Sequence, residues 1–405
     1  MKSILFITSN SLATNPRLVK EIDLARHRYK CTVVSFQLNS WSDKIDDEIA
    51  LKYPEVSFLF VSGGKQQYVQ WLISSMLEKI TRKVYYCFEN NLLISAIAHS
   101  KRTIILLKKL KHLKRHDMVI AHNLAALYPA YTFTTRHNIK LAFDVEDFHP
   151  GEVVAEDNYN EIKRRKFILT SILPHCSYLS FSSPLICKKI IDLVPGIEQC
   201  KKEIINNSFL SSEFLAPVNA KSDFKIKLVW FSQKISTGRG LELIIPALHK
   251  CKDKIELTLI GSLDLTFYQK YIKPNSEFIQ AVKPLSQIKL HKLLSDYDVG
   301  LALELESADI NRDICLTNKI FAYTQAGLFV LATSTQAQSK FVCDFPWVGQ
   351  LVGQSPIELD QAIESIIKLK QEIRSSSNQR YINALNLSWE KESTKLLKIW
   401  DQHLH

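Results

Sequence analysis

The chain has 405 residues, 46% hydrophobic and 23% charged, with 52 Lys and Arg against 41 Asp and Glu for a net charge of +11. That length suits two domains of about 150–200 residues with a core each, and the composition excludes a disordered, collagenous or disulfide-dense protein. The basic balance favours anionic partners, among which nucleotide sugars, phospholipid headgroups and nucleic acid all qualify.

The opening MKSILFITSNSL has too short an apolar stretch for a signal peptide and no small-residue cleavage site, so it reads as a first strand. No window reaches the roughly 18 apolar residues of a spanning helix, because His99, Ser100, Lys101 and Arg102 interrupt Asn91 to Leu107. A cytoplasmic protein is expected. The eight cysteines are scattered without a C-x-x-C, which predicts buried free thiols.

Ser3 to Thr8 is an apolar strand, Ser9 to Pro16 a loop, Leu18 to Tyr29 a helix and Cys31 to Phe36 a strand. This is the opening of a doubly wound α/β sheet. Pro16 fits a helix start. The missing G-x-G-x-x-G fingerprint argues against a nicotinamide or flavin cofactor. Further strands are expected at Val56 to Val61, Asp117 to Ala121, Lys140 to Asp144, Ser177 to Phe181 and Glu203 to Asn206, with helices between them. Lys101 to Arg115, KRTIILLKKLKHLKR, carries seven Lys or Arg and no acid, with Leu106, Leu110 and Leu113 on one face. With the interleaved aromatics and cations of Tyr68 to Phe88 it predicts a basic amphipathic surface suited to an anionic bilayer. No nucleic-acid-reading motif accompanies that charge, so no nucleic-acid partner is expected.

Ser211 to Lys225, containing Pro217, Asn219 and Ser222, marks the domain boundary. A second set of strands follows at Ile226 to Phe231, Ile255 to Ile260, Glu277 to Ala281, Asp298 to Leu303, Leu328 to Thr333 and Val348 to Val352. Asp309 to Thr333 reads as loop, helix and buried strand: Leu316, Ile320, Phe321 and Tyr323 give the helix a face, and Gly327 stands where a left-handed cap is wanted. The helix follows a polar loop with Asn311, Arg312, Asp313, Thr317 and Asn318. Its unpaired N–H groups and positive dipole end outline a phosphate site. Glu304 and Glu306 lie just past a strand's C-terminal end, where ligands bind in open α/β sheets. His122 lies at such an end in the first half, and Glu146 and Asp147 follow another. Asp296-Tyr297-Asp298 spells D-x-D where a helix hands over to a strand, and no metal site is assigned to it. A last helix, Ser388 to His405, has Trp389, Leu396, Leu397, Trp400 and Leu404 on one face.

TNKIFAYTQAGLFVLAT resembles the NKLFEYMAAGLPVIAS segment of GT-B glycosyltransferases, especially the GT4-like group, whose helix lies beside the nucleotide of a nucleotide-sugar donor. WFSQKISTGRGLE is similar to that family's yvGRLSpeKGle, LTLIGS to its l.ivG.g, VIAHNLAALYPAY to vhaHd....p, FDVEDFHPGE to yDaHElfpE, and SWEKESTKLLKIW to its closing sWe...l...Y helix. The resemblance covers nearly the whole chain. It implies two Rossmann-like doubly wound domains facing across a cleft. Residues 1–215 would admit a glycan or lipid-linked acceptor, 216–380 would hold a nucleoside-diphosphate sugar, and 381–405 would pack back on the first domain. Transfer would retain configuration without metal or other cofactor, in cell-surface polysaccharide or glycoconjugate synthesis; docking on the inner membrane face is expected from the basic stretch 101–115 and its neighbours, not from the resemblance.

Carried over by position, the resemblance puts Lys234 and Arg239 on the diphosphate, exchanged in order relative to the family's arginine and lysine but with the charge kept. Asn311, Arg312, Asp313, Thr317, Asn318 and Lys319 would line the donor. His122 would reach the transferred sugar, Glu146 and Asp147 would stand nearest the acceptor, and Asn15 and Arg17 would belong to a loop in the cleft. Gln233 departs from a family glycine, and Ile314 and Ala322 from the glutamate pair that holds the ribose, with Glu304 as substitute. Two other readings stay open: an inverting enzyme with Asp147 as base, and a degenerate member that binds a nucleotide sugar or glycan without transfer.

Overall fold

The structure, a computed structural model, describes residues 1–217, 224–305 and 307–404. Glu306, and Asn219 and Ser222 of the expected linker, lie outside the described residues. The apolar runs form two sheets. β1 (Ser3–Thr8), β2 (Lys30–Gln37), β3 (Ser57–Ser62), β4 (Met118–His122), β5 (Lys140–Val145), β6 (Tyr178–Phe181) and β7 (Lys201–Ile204) are ordered β3-β2-β1-β4-β5-β6-β7. β8 (Ile226–Ile235), β9 (Ile255–Leu263), β10 (Ile279–Val282), β11 (Val299–Ala302), β12 (Phe329–Thr333) and β13 (Gly349–Val352) are ordered β10-β9-β8-β11-β12-β13. Every described pairing is parallel. Each strand overlaps a run read from the sequence; the interior strands are buried on both faces and read as apolar stretches, whereas the edge strands β3, β7, β10 and β13 are only partly buried.

Both sheets are doubly wound. The chain winds outward from a central strand, returns across it and winds to the other edge. The reversal falls between β1 and β4 in one sheet and between β8 and β11 in the other, and ligands bind beyond the C-terminal strand ends at such a point. Among the intervening helices, α1 (Pro16–Ala25) follows β1, α2 (Tyr68–Val84) and α3 (Arg102–Leu110) lie between β3 and β4, α4 (Leu241–His249) follows β8, α5 (Asn318–Gln325) joins β11 to β12, and α6 (Trp389–Leu404) comes last.

The chain divides into two compact units, Met1–Ile205 with Ser393–His405, and Asn206–Glu392. Residues 206–215 belong with the second unit. There the Phe209 N–H donates to Gln325 Oε1 at 2.9 Å, and the Phe209 carbonyl accepts from Gln325 Nε2 and from the Trp389 N–H, each at 2.8 Å. In the first unit Trp400 is fully buried, its Nε1 donating to the Tyr178 hydroxyl at 2.8 Å and its ring set edge-on to Phe6 and Tyr29.

The basic stretch 101–115 is only partly a free surface. α3 covers nine residues and buries Thr103, Ile105, Leu106 and Leu110 in the core, so its apolar face is not available to a bilayer. The eight cysteines are free, with Cys31, Cys176 and Cys200 buried. No described helix is long and apolar enough to cross a membrane.

Candidate functional site

In the first unit, parallel register sets Thr8, His122 and Asp144 side by side at the ends of β1, β4 and β5. α1 begins just beyond. Asn15 is its cap, the side chain accepting from the Leu18 N–H at 3.1 Å, and Pro16 occupies its first turn. One residue later Arg17 turns inward, 1% exposed. Its Nε and Nη2 donate to the two Asp144 oxygens at 2.6 and 2.8 Å, its Nη1 donates to the Ile205 carbonyl, and Ser180 Oγ also donates to Asp144. This corrects the expectation of a cleft-loop cation. A desolvated guanidinium is stable only when fully paired, and breaking such a pair by removing one partner costs about 3–5 kcal/mol.

His122 belongs to the same buried group. Its Nε2 lies 3.3 Å from Glu21 Oε2 and its Nδ1 lies 3.5 Å from Asp144 Oδ2. Neither contact is a well-directed hydrogen bond, so these are ion pairs held by charge. Burial opposes the imidazolium, but Glu21 and Asp144 outweigh it and push the His122 pKa up to about 10. A protonated ring has no lone pair to accept a proton, and at 1% exposure this one is sealed from a substrate. The geometry gives His122 a holding role in place of the expected reach to a sugar. Glu21 and Asp144 were both missed in the sequence, although an acid inside the apolar run LAFDV was a signal that a buried cation must meet it.

Glu146 and Asp147 follow β5 and are half-buried. Burial, then the like charges of Asp147 and Asp144, push the Glu146 carboxyl up to about 7. That is the range of a general base near neutral pH.

The second unit carries the expected donor residues at the ends of β8, β11 and β12. β8 slips in register between Phe231 and Lys234, and Lys234 pairs with Asp264 at 3.1 Å with more than half its side chain exposed. An exposed pair of this kind contributes little and exchanges readily for another anion. The loop then turns through Gly238 and Gly240, both at positive φ, into α4. A Cβ on Gly240 would stand 2.9 Å from Leu303 Cβ, so the loop is pressed against the end of β11 as only glycine permits. Arg239, beside it and half-buried, makes no hydrogen bond or ion pair among the described residues.

Glu304 follows Leu303. Its Oε1 accepts from Lys319 Nζ at 2.8 Å, its N–H donates to Thr333 Oγ1, and its carbonyl accepts from Thr333 and Gln354. Both members of the pair are buried, so the carboxylate expected to hold a ribose is engaged by the first turn of α5. Thr317 is the extended N-cap of α5, with no side-chain cap bond, which leaves first-turn N–H groups without that partner. Asn318 next to it is exposed. Asp309 caps the short helix Ile310–Ile314, accepting from the Arg312 N–H. Asp313 accepts from the Gln336 backbone and side chain, and Asn311 is buried. Ala322 and Ile314 are fully buried in the apolar packing. The D-x-D reading is likewise closed, because Asp298 is buried against Arg374 and the Lys227 N–H.

Neither a family model nor a curated protein matches the sequence at a significant level. Solved structures do match over the full length. HepE of Anabaena in complex with UDP is 14% identical, with 99% of this chain aligned to 100% of that one and a TM-score of 0.67. Sucrose-phosphate synthase of Thermosynechococcus elongatus is 12% identical, with 99% of each chain covered and a TM-score of 0.66. The lipopolysaccharide outer core galactosyltransferase WaaB is 12% identical, with 100% of each chain covered and a TM-score of 0.62. At such identity the likeness is one of fold. With parallel sheets of seven and six strands, each reversing at its centre, that fold is GT-B.

Proposed function

We propose that the chain is a glycosyltransferase of GT4-like type, moving a sugar from a nucleoside-diphosphate sugar to a hydroxyl of a glycan or lipid-linked acceptor in cell-surface glycoconjugate synthesis. One observation carries this reading. At the switch point of the second sheet, the Arg239–Gly240 loop is packed on Leu303, the next residue Glu304 is bound to Lys319, and Lys319 lies in the first turn of a helix without a side-chain cap. A guanidinium unpaired among the described residues, together with a helix N-terminus, suits a diphosphate, and fixed cations and dipoles stabilise the charge that develops on such a leaving group. HepE, which shares the fold, was crystallised with UDP and with UDP-glucose. Retention of configuration without a metal is what the family resemblance implies for this chain.

Isothermal titration with UDP and GDP tests the donor site. The binding nucleotide should lose about 1.5–3 kcal/mol of affinity in Arg239→Ala, the worth of a hydrogen bond to a charged group. Lys234→Ala should lose less, because that side chain is exposed and already has Asp264. Equal affinity in wild type and Arg239→Ala would remove this loop from the donor site.

Glu146 supports a second reading. A carboxyl raised to about 7 beyond a central strand end suits direct deprotonation of an acceptor hydroxyl and hence inversion, with Glu146 in place of Asp147 as base. The anomeric configuration of the product, read by proton NMR, separates the two.

A further inference from the structure

α2 turns its apolar residues outward. Val69, Leu72, Ile73, Met76, Leu77 and Ile80 are all exposed, Val69 by 69% and Ile73, Met76 and Ile80 by about half. At about 100° per residue they fill an arc of about 140° on one side of the helix. The opposite side holds the protein: Ser74 is buried, Arg82 Nε donates to the Ala98 carbonyl at 2.8 Å, and Trp71 lies under Lys65 and Lys101 with each ammonium about 5 Å from the ring. Soluble monomers rarely expose so continuous an apolar stripe without a use for it.

The charge around the stripe is lopsided. Residues 65–115 carry eleven Lys and Arg against two Glu, a net +9 of the chain's +11. Lys79 borders the stripe and Lys83 ends it. A groove of about 440 Å³ continues the apolar face between α2 and α3, lined by Tyr68, Val69, Ile73, Ile104 and Lys108 among others. Of the two acids, Glu78 pairs with Arg82. A second copy laid on the same face would bring two +9 segments together, whereas an anionic surface meets the cations while its acyl layer takes the stripe.

We propose that α2 is a membrane-docking helix, lying in the interface of an anionic bilayer with Val69 to Ile80 in the acyl boundary and Lys79, Lys83 and Lys108 at the headgroups. Flotation of the full chain with vesicles tests it, comparing phosphatidylcholine alone with phosphatidylcholine holding about 30 mol% phosphatidylglycerol. The wild type should bind the anionic vesicles about 10-fold or more tightly than the neutral ones. The triple variant Ile73→Glu, Met76→Glu, Ile80→Glu should lose that binding, and Lys79→Glu with Lys83→Glu should lose the preference for anionic lipid. Melting temperature and nucleotide affinity should stay at wild-type values in both, since these residues are exposed and lie outside the nucleotide unit. Failure of the wild type to float, or unchanged flotation of the triple variant, would overturn the proposal. So would a wild-type dimer that the triple variant converts to monomer without any vesicle binding, which would make the stripe a contact between copies.

Discussion

At neighbouring strand ends, buried His122 and half-buried Glu146 both hold their protons beyond the ordinary range, His122 through facing carboxylates and Glu146 through burial and like charges. His122, between Glu21 and Asp144, keeps its proton up to about pH 10. Its folded pKa is raised above 6.5, so its stabilisation is complete below 6.5 and is lost as pH rises through about 10. Glu146 is a carboxyl raised from 4.5 to about 7. The unfolded chain gives up that proton first, so stability falls as pH rises between those values. In the reading that uses Glu146 as base, turnover should climb through a single ionisation near pH 7 to a plateau. Glu146→Gln should flatten that limb and lower turnover by about 100-fold or more. A wild-type profile already flat across pH 7, or a variant with undiminished turnover, would take Glu146 out of the chemistry.

Helix placement is where small residues have large effects. Gly300, in the middle of β11, lets α5 sit down on the sheet: a Cβ there would fall 2.2 Å from Tyr323 Cγ, and the Tyr323 hydroxyl accepts from the Phe231 N–H. Gly300→Ala should cost about 1–3 kcal/mol by overpacking and should also weaken nucleotide binding, because Lys319 and the helix start move with Tyr323. Denaturant titration and calorimetry on one sample check this. Lost stability with unchanged affinity would separate α5 from the donor site. The interior strands were legible because a doubly buried parallel strand is a continuous apolar run, and Gly327 marked the end of α5 because a positive φ was needed there. Pairings between distant residues were not legible. An arginine after a helix-start proline looks solvent-facing, and only the register of β1, β4 and β5 brings Asp144 to Arg17. Glu304 and Lys319 are both plausible ligand residues in isolation, and nothing local shows that they meet each other. For α2 the apolar period is the same whether the stripe faces the core or the solvent, so exposure had to come from the fold.

At the level of the molecule, the first unit is not contiguous in sequence, since residues 1–205 are joined by those from Ser393 onward. Removing the Trp400 side chain should cost about 3–5 kcal/mol, and the loss should appear in the unit that holds Tyr178. Differential scanning calorimetry of Trp400→Ala, with and without the binding nucleotide, should show that transition lowered while the nucleotide-stabilised one stays in place. A shift of the nucleotide-sensitive transition alone would contradict this division of the chain. The same feature bears on how the protein is made. Domains ordinarily fold as they emerge, the N-terminal one first, but here the ribosome must add about 190 residues of the second unit before Trp400 exists to cover Phe6, Tyr29 and Tyr178. At about 5–20 residues per second that is a wait of about 10–40 s, during which the first unit to emerge has an open aromatic face and the second already has all its residues.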